Sequence, residues 1–235
     1  ILSMRHHIIL VHDIKMDNSM PTSTTQLRRY IRSVLVEKAI TPAQATKQDL
    51  ALYIGRISDQ RLYVLYDPTK FEAALRRNLI PSRDSGIIAV MRVELAQPGR
   101  AWNAATVGFA AAEQGYGPLL YDIVMANENG LMPDRRSVRP AAKKVWQYYL
   151  KNRADITAKP LDNIGNPKTE PTIDDAIVHR GGSRSSLNYA YFTKKKPNIA
   201  QLRKNHADAM KRFRKYKFDV RQFTGIAIDY FDLRY

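Results

Sequence analysis

The sequence predicts a mixed α/β domain. Three observations carry this. Runs of period-two apolar alternation are interspersed with helical patterns along the first 150 residues. A loop bearing Gly115 and Gly117 joins one such strand to a helix. The chain has 235 residues, of which 44% are hydrophobic, so it can bury a proper core.

The elements follow in order. His6 to Ile14 alternates as a strand, and Ser23 or Thr24 caps a helix running to about Lys38. Thr41-Pro42 starts a short helix. Leu50–Ile57 and Arg61–Tyr66 form a hairpin-like pair around Ser58-Asp59-Gln60. Asp67-Pro68 is a cap and first-turn proline, opening a helix to about Arg77. Pro81 to Gly86 is a loop, Ile87 to Leu95 a strand, Gln97 to Arg100 a turn, and Trp102 to about Ala111 a strand of small residues. The helix after the glycine loop runs to about Asn127 and is ended by Gly130. Leu131-Met132 is a short strand. Ser137 caps a helix whose stripe is Ala141, Val145, Tyr148 and Tyr149, with Trp146 beside it.

Composition changes after Asn152. Asp155 to Pro171 is rich in Pro, Asn, Asp and Thr and reads as a linker or long surface loop. Leu187–Phe192 is a strand. Asn198 to about Lys217 is a helix with Ile199, Leu202, His206, Met210 and Phe213 on one side and Lys and Arg on the other. Phe223–Phe231 is a closing apolar stretch. The expected organisation is therefore a domain over 1–152 and, over 153–235, a linker plus a basic strand and helix.

Composition also excludes functions. There is no cysteine, so disulfides, thiolate zinc sites and a cysteine nucleophile are ruled out. His6, His7, His12 and Asp13 are close in sequence, but alternation splits them between two strand faces, and no metal site is expected. No apolar run reaches the ~20 residues of a membrane-spanning helix, and residues 1–7 do not read as a secretory signal. The net charge of +16 favours a polyanionic partner.

Glu113-Gln114-Gly115-Tyr116-Gly117-Pro118 is the strongest candidate site. Two glycines at a helix start let backbone amides point outward, and the helix dipole adds positive potential there. Pro118 suits the first turn, where its missing donor costs nothing. This chemistry holds a phosphate. Ala110 and Ala111, being small, let a ligand lie close to the backbone, so the expected binding residues are Ala110, Ala111, Gln114, Gly115, Tyr116, Gly117 and Pro118. A dinucleotide fold would place a third glycine where Leu120 stands, and a triphosphate loop would need Gly-Lys-Ser/Thr.

The order strand, strand, glycine loop, helix, short strand, helix with a late tyrosine resembles the core of GNAT-type N-acetyltransferases. Their loop reads Arg/Gln-x-x-Gly-x-Gly/Ala; here Ala112 to Gly117 carries both glycines, with Ala112 in the first position. Gly115-Tyr116-Gly117-Pro118-Leu119-Leu120-Tyr121-Asp122, followed by Arg135-x-Ser137-x-x-Pro140-Ala141-x-x-x-Val145-Trp146-x-x-Tyr149, is most similar to GNAT-like proteins of tailed bacteriophages. The resemblance spans roughly residues 50–152. It implies a mostly antiparallel central sheet flanked by helices, with a basic C-terminal extension beyond it. It also implies acetyl-coenzyme A as cofactor, its pyrophosphate on the loop, and transfer to an unknown amine. Family members use a late tyrosine as acid, here Tyr149 or Tyr148, and a carboxylate on the central strands as base, here Glu94, with Glu113 the other near one.

The second signal is basic. Lys194, Lys195 and Lys196 precede a helix carrying Arg203, Lys204, Arg212 and Lys215, with Tyr189, Tyr191 and Phe192 nearby. Cations hold phosphates and neighbouring aromatics stack bases, so nucleic acid or another polyanion is the expected partner of this segment. Two functional classes follow. One is an acetyl-coenzyme A-dependent N-acyltransferase of phage origin. The other is a non-catalytic virion or DNA-associated protein that keeps the fold and meets other virion proteins. The resemblance places either in the bacterial host cytoplasm or the virion.

Overall fold

Apolar alternation sets up a sheet from Ala51 onward. In this computed structural model, the described residues are 40–79, 85–96, 101–134, 137–161, 185–223, 225, 226 and 229. The strand expected over 6–14 and the helix expected before Lys38 lie outside them.

Among the described residues there are five α-helices and a seven-stranded sheet. In chain order these are α1 (Pro42–Lys47), β1 (Ala51–Ile57), β2 (Gln60–Tyr66), α2 (Pro68–Arg76), β3 (Ile87–Glu94), β4 (Ala105–Ala112), α3 (Gly117–Asn127), β5 (Leu131–Met132), α4 (Pro140–Asn152), β6 (Ile156–Pro160), β7 (Tyr189–Thr193) and α5 (Ala200–Phe213). The sheet order is β1-β2-β3-β4-β5-β7-β6. Every neighbouring pair is antiparallel except β4–β5. The fold is therefore mixed α/β with a mostly antiparallel sheet. A parallel pair needs a crossover, and α3 supplies it.

Local sequence explains the early elements. Thr41 and Gln44 form a capping box at α1, with Pro42 in the first turn. The Asp67 side chain accepts the Thr69 and Lys70 amides at α2. Ile57 pairs with Gln60, so the hairpin turn is Ser58-Asp59, with Ser58 at φ 54°.

Helices cover both faces of the sheet. On one side, α3 and α4 pack Leu119, Leu120, Trp146 and Tyr149 against Tyr63, Leu65, Ala89 and Met91. On the other, α2 and α5 pack Phe71, Ala209 and Phe213 against Leu62, Val64, Tyr66 and Val90. This is why Leu62–Tyr66 and Ile87–Met91 are buried without interruption. Glu72 also pairs with Arg212 at 3.2 Å and Lys215 at 2.9 Å, linking α2 to the end of α5. Those cations are about half exposed, and each such pair contributes about 0–1 kcal/mol. Burial of Phe213 alone contributes about 2–3 kcal/mol, so apolar packing dominates the docking.

Four expectations are corrected. Trp102 is not in a strand: it sits in a 3₁₀ turn (Ala101–Asn103) at φ 59°, and β4 begins three residues later. Ser137 does not cap α4, whose N-cap position is Arg139, with no side-chain bond. The expected linker contains β6, which among the described residues is an edge strand paired with β7 and has one buried residue, Ile156. The last helix stops at Phe213 and is followed by a 3₁₀ turn closing on Lys217 at φ 57°. The boundary expected at residue 152 thus falls between α4 and β6, and the strands beyond it lie in the same sheet.

Candidate ligand-binding cleft

The parallel junction positions the site. β4 pairs with β5 only through Ala105 and Thr106. On its other edge the β3 register shifts between Arg92 and Val93: Arg92 faces Phe109, Val93 faces Val107, and Gly108 is left over. Such a bulge bends a strand and redirects its side chains. A cleft of about 600 Å³ runs along β4 from Val107 to Ala112. Consecutive strand residues point to opposite faces, so a cleft lined by all six follows the strand's edge rather than one face.

The start of α3 forms one end. The Glu113 amide donates to the Ile88 carbonyl at 2.8 Å, and the Tyr116 amide to the Glu113 carbonyl at 3.1 Å. Gly115 takes φ +89°, a conformation that side chains disfavour. The Ile40 amide donates to the Gly115 carbonyl at 3.1 Å, fixing the loop from behind. A side chain at Gly117 would meet only open space within 4 Å.

No side chain caps α3, and none caps α4. Both helices open with a proline and carry no acid in the first turn. Both starts line this cleft, through Gly117 and Pro118 on one side and Arg139 and Ala141 on the other. Two positive dipole ends therefore face one space. At α5 the N-cap residue is likewise unbonded, but Asn198 Oδ1 accepts the Ala200 amide at 3.1 Å. Arg92, Arg139, Glu113 and Asp134 also line the cleft, so it holds side-chain charges of both signs.

Of the expected binding residues, Ala110, Ala111, Gly115, Gly117 and Pro118 line the cleft, whereas Gln114 and Tyr116 do not. Tyr116 turns toward α1, and its hydroxyl donates to Gln48 Oε1 at 2.7 Å. Of the expected catalytic residues, Tyr149, Tyr148 and Glu94 do not line it, whereas Glu113, the other near carboxylate, does. Tyr149 is 1% exposed, with its hydroxyl 2.8 Å from Asp122 Oδ1 and 3.0 Å from the Pro118 carbonyl. Burial, then the Asp122 charge, raises its pKa well above the usual value. Burial also raises that of Asp122, against the pull of Arg153. Tyr148 is half-buried, its ring 6.0 Å from that of Tyr149. Glu94 ends β3 opposite Thr106.

The basic residues divide. Lys195, Lys196, Arg203 and Lys204 are exposed. Arg212 and Lys215 are engaged by Glu72, and Lys194 Nζ donates to the Ala154 carbonyl at 3.2 Å.

Sequence reasoning missed Arg92, Arg139, Ser137 and Trp146 as cleft residues. Arg92 left a signal: it is the one charged residue in the run Ile87–Val93. Among the described residues, no group of three or more His, Asp or Glu is placed to hold a metal ion. No helix there is long and apolar enough to cross a membrane. No family model, no curated protein and no solved structure matches this chain.

Proposed function

We propose that this cleft binds an acyl-coenzyme A, that the fold is of the GNAT type, and that the reaction is acyl transfer to an amine. The observation that carries the reading is the convergence of two uncapped helix starts on one open cleft. Unpaired amides and aligned dipoles at such ends attract a diphosphate. The fit is good at Gly117, where nothing stands within 4 Å of a side chain's first atom. The edge of β4 suits an extended, amide-bearing arm, and Ala110 and Ala111 keep its wall low.

The coenzyme supplies an activated thioester carbonyl. Transfer forms a carbon–nitrogen bond and breaks the carbon–sulfur bond; the amine loses a proton and the thiolate gains one. Glu113 and Asp134 are carboxylates that line the cleft, and one of them would take the amine proton. Tyr149 is not assigned as the acid, because its hydroxyl is turned to Asp122 and Pro118.

The reading is tested by calorimetric titration with acetyl-coenzyme A, followed by mass spectrometry of amine acceptors. Saturable binding and acetylated product support it. Absence of heat at millimolar ligand rejects it. A non-catalytic virion or DNA-associated protein is the second reading, favoured by the placement of Tyr149 and Glu94 away from the cleft. Binding without transfer to any amine selects that alternative.

A further inference from the structure

Among the described residues, Arg92 is a cation without a counter-charge. Its guanidinium carbon lies 4.7 Å from the centre of the Phe109 ring. Its Nε is buried and, among the described residues, has no hydrogen-bond partner. Among the described residues it makes no ion pair. It nonetheless lines the cleft.

A structural role does not account for this arrangement. A cation over an aromatic ring gains only a modest electrostatic attraction. Leaving the buried Nε donor unbonded costs as much or more. The strand needs no charge there either, since Ile87–Met91 are fully apolar and buried. The side chain is only partly buried and lines the cleft, so an oxyanion there can meet the guanidinium and balance its charge.

The position says which ligand. Ala89 pairs with Ala112, the residue before the glycine loop, and Arg92 lies three residues farther along β3. At strand rise that is roughly 10 Å from the loop end. Arg92 therefore lies away from the helix starts that would hold the diphosphate, beside the Gly108 bulge and against Phe109. A guanidinium pairs two-pronged with a carboxylate or a phosphate.

We infer that Arg92, backed by Phe109, recognises an oxyanion on the acceptor, so that the acceptor is a small amine carrying a carboxylate or phosphate. This rests on the acyl-coenzyme A reading of the same cleft. The acid group docks on Arg92, and the amine end lies toward the cleft carboxylates. The transfer balances as above, with the acid group unchanged.

The test uses the full chain saturated with acetyl-coenzyme A and a panel of β-alanine, O-phosphoethanolamine and ethylamine. The N-acetyl products are quantified by mass spectrometry. One or both acid-bearing amines are expected to exceed ethylamine at least tenfold in kcat/KM, and which one does so separates carboxylate from phosphate. Arg92→Gln should erase that preference through KM, and Arg92→Lys should restore part of it. Equal use of ethylamine, or a preference unchanged in Arg92→Gln, overturns the inference. A second readout needs no turnover or variant: the arginine Nε–H signals of the wild-type chain during titration with β-alanine and with inorganic phosphate. Displacement of one buried Nε–H signal by either probe supports the inference; no displacement by either overturns it. Calorimetry with acetyl-coenzyme A separates the two failures. No coenzyme binding rejects the coenzyme reading, while coenzyme binding with no acid preference rejects the acceptor inference alone.

Discussion

The Tyr149 hydroxyl lies 2.8 Å from Asp122 Oδ1, tying α4 to the first half of α3. Arg153 braces the same carboxylate from the other side, 3.1 Å from Oδ2, and holds Asp155 at 2.7 Å. These contacts fix the spacing of the two helices whose starts form the cleft. Tyr149→Phe should therefore behave as a structural change. Unfolding by urea should show a loss of about 1–3 kcal/mol, the range for a buried polar group that loses its partner. Acetylation at saturating substrates should remain within about threefold of wild type, where loss of a general acid would cost at least about a hundredfold. A fall of that size with unchanged stability would return Tyr149 to the chemistry.

Gly117 separates binding from folding. No atom stands within 4 Å of a Cβ built there, so the side chain of Gly117→Asp starts in open space. A carboxylate at a helix start is neutral or stabilising by about 0.3–1 kcal/mol. The same charge would repel a bound diphosphate. The thermal midpoint should hold or rise slightly, while acetyl-coenzyme A affinity falls at least a hundredfold. Retained affinity would move the diphosphate elsewhere.

His206 should make the protein's stability depend on pH. Its Nδ1 lies 2.8 Å from the Tyr66 hydroxyl, and burial lowers its pKa to about 4. In the unfolded chain the value is about 6.5. Between these values the unfolded chain binds a proton that the folded chain does not. The contribution is therefore complete above about pH 6.5 and is lost as pH falls through about 4. The ring is only partly enclosed, so the loss is set at about 2 kcal/mol rather than the full linkage value. Urea titrations at pH 7 and pH 4.5 should show the wild type losing this much relative to His206→Gln. Parallel losses in both would remove His206 as the cause.

Much of the fold was legible in the sequence, and the reasons for the misses are physical. The caps at Thr41 and Asp67 and the hairpin around Ser58 depend on neighbours in sequence and could be read directly. Trp102 was misplaced because an aromatic residue at φ 59° has no local signature; its indole instead donates to the Pro160 carbonyl, 58 residues away. β6 has little alternation to read, because ITAKP buries Ile156 alone and ends in Pro160. At the site, Gly115 and Gly117 announced a turn and a helix start. Which way Tyr116 and Tyr149 point is decided by α1 and α3, and no pattern along the chain encodes that.

The basic residues yield a different expectation. Arg203 and Lys204 are exposed, whereas Arg212 and Lys215 are engaged by Glu72. If the segment binds nucleic acid, Arg203→Glu with Lys204→Glu should weaken binding to single-stranded DNA without altering the fold. The logarithmic salt slope should fall by about one to two, since each lost phosphate contact releases roughly one counterion fewer. Fluorescence anisotropy at several salt concentrations reads both, and an unchanged slope would remove these residues from any such interface.

Calorimetric titration of acetyl-coenzyme A into the wild-type chain and Gly117→Asp, side by side, bears most directly on the cleft between α3 and α4. The account predicts one saturable site in the wild type and its loss in the variant, with both chains equally folded. No heat from the wild type at millimolar ligand, or equal binding by the two, would contradict it.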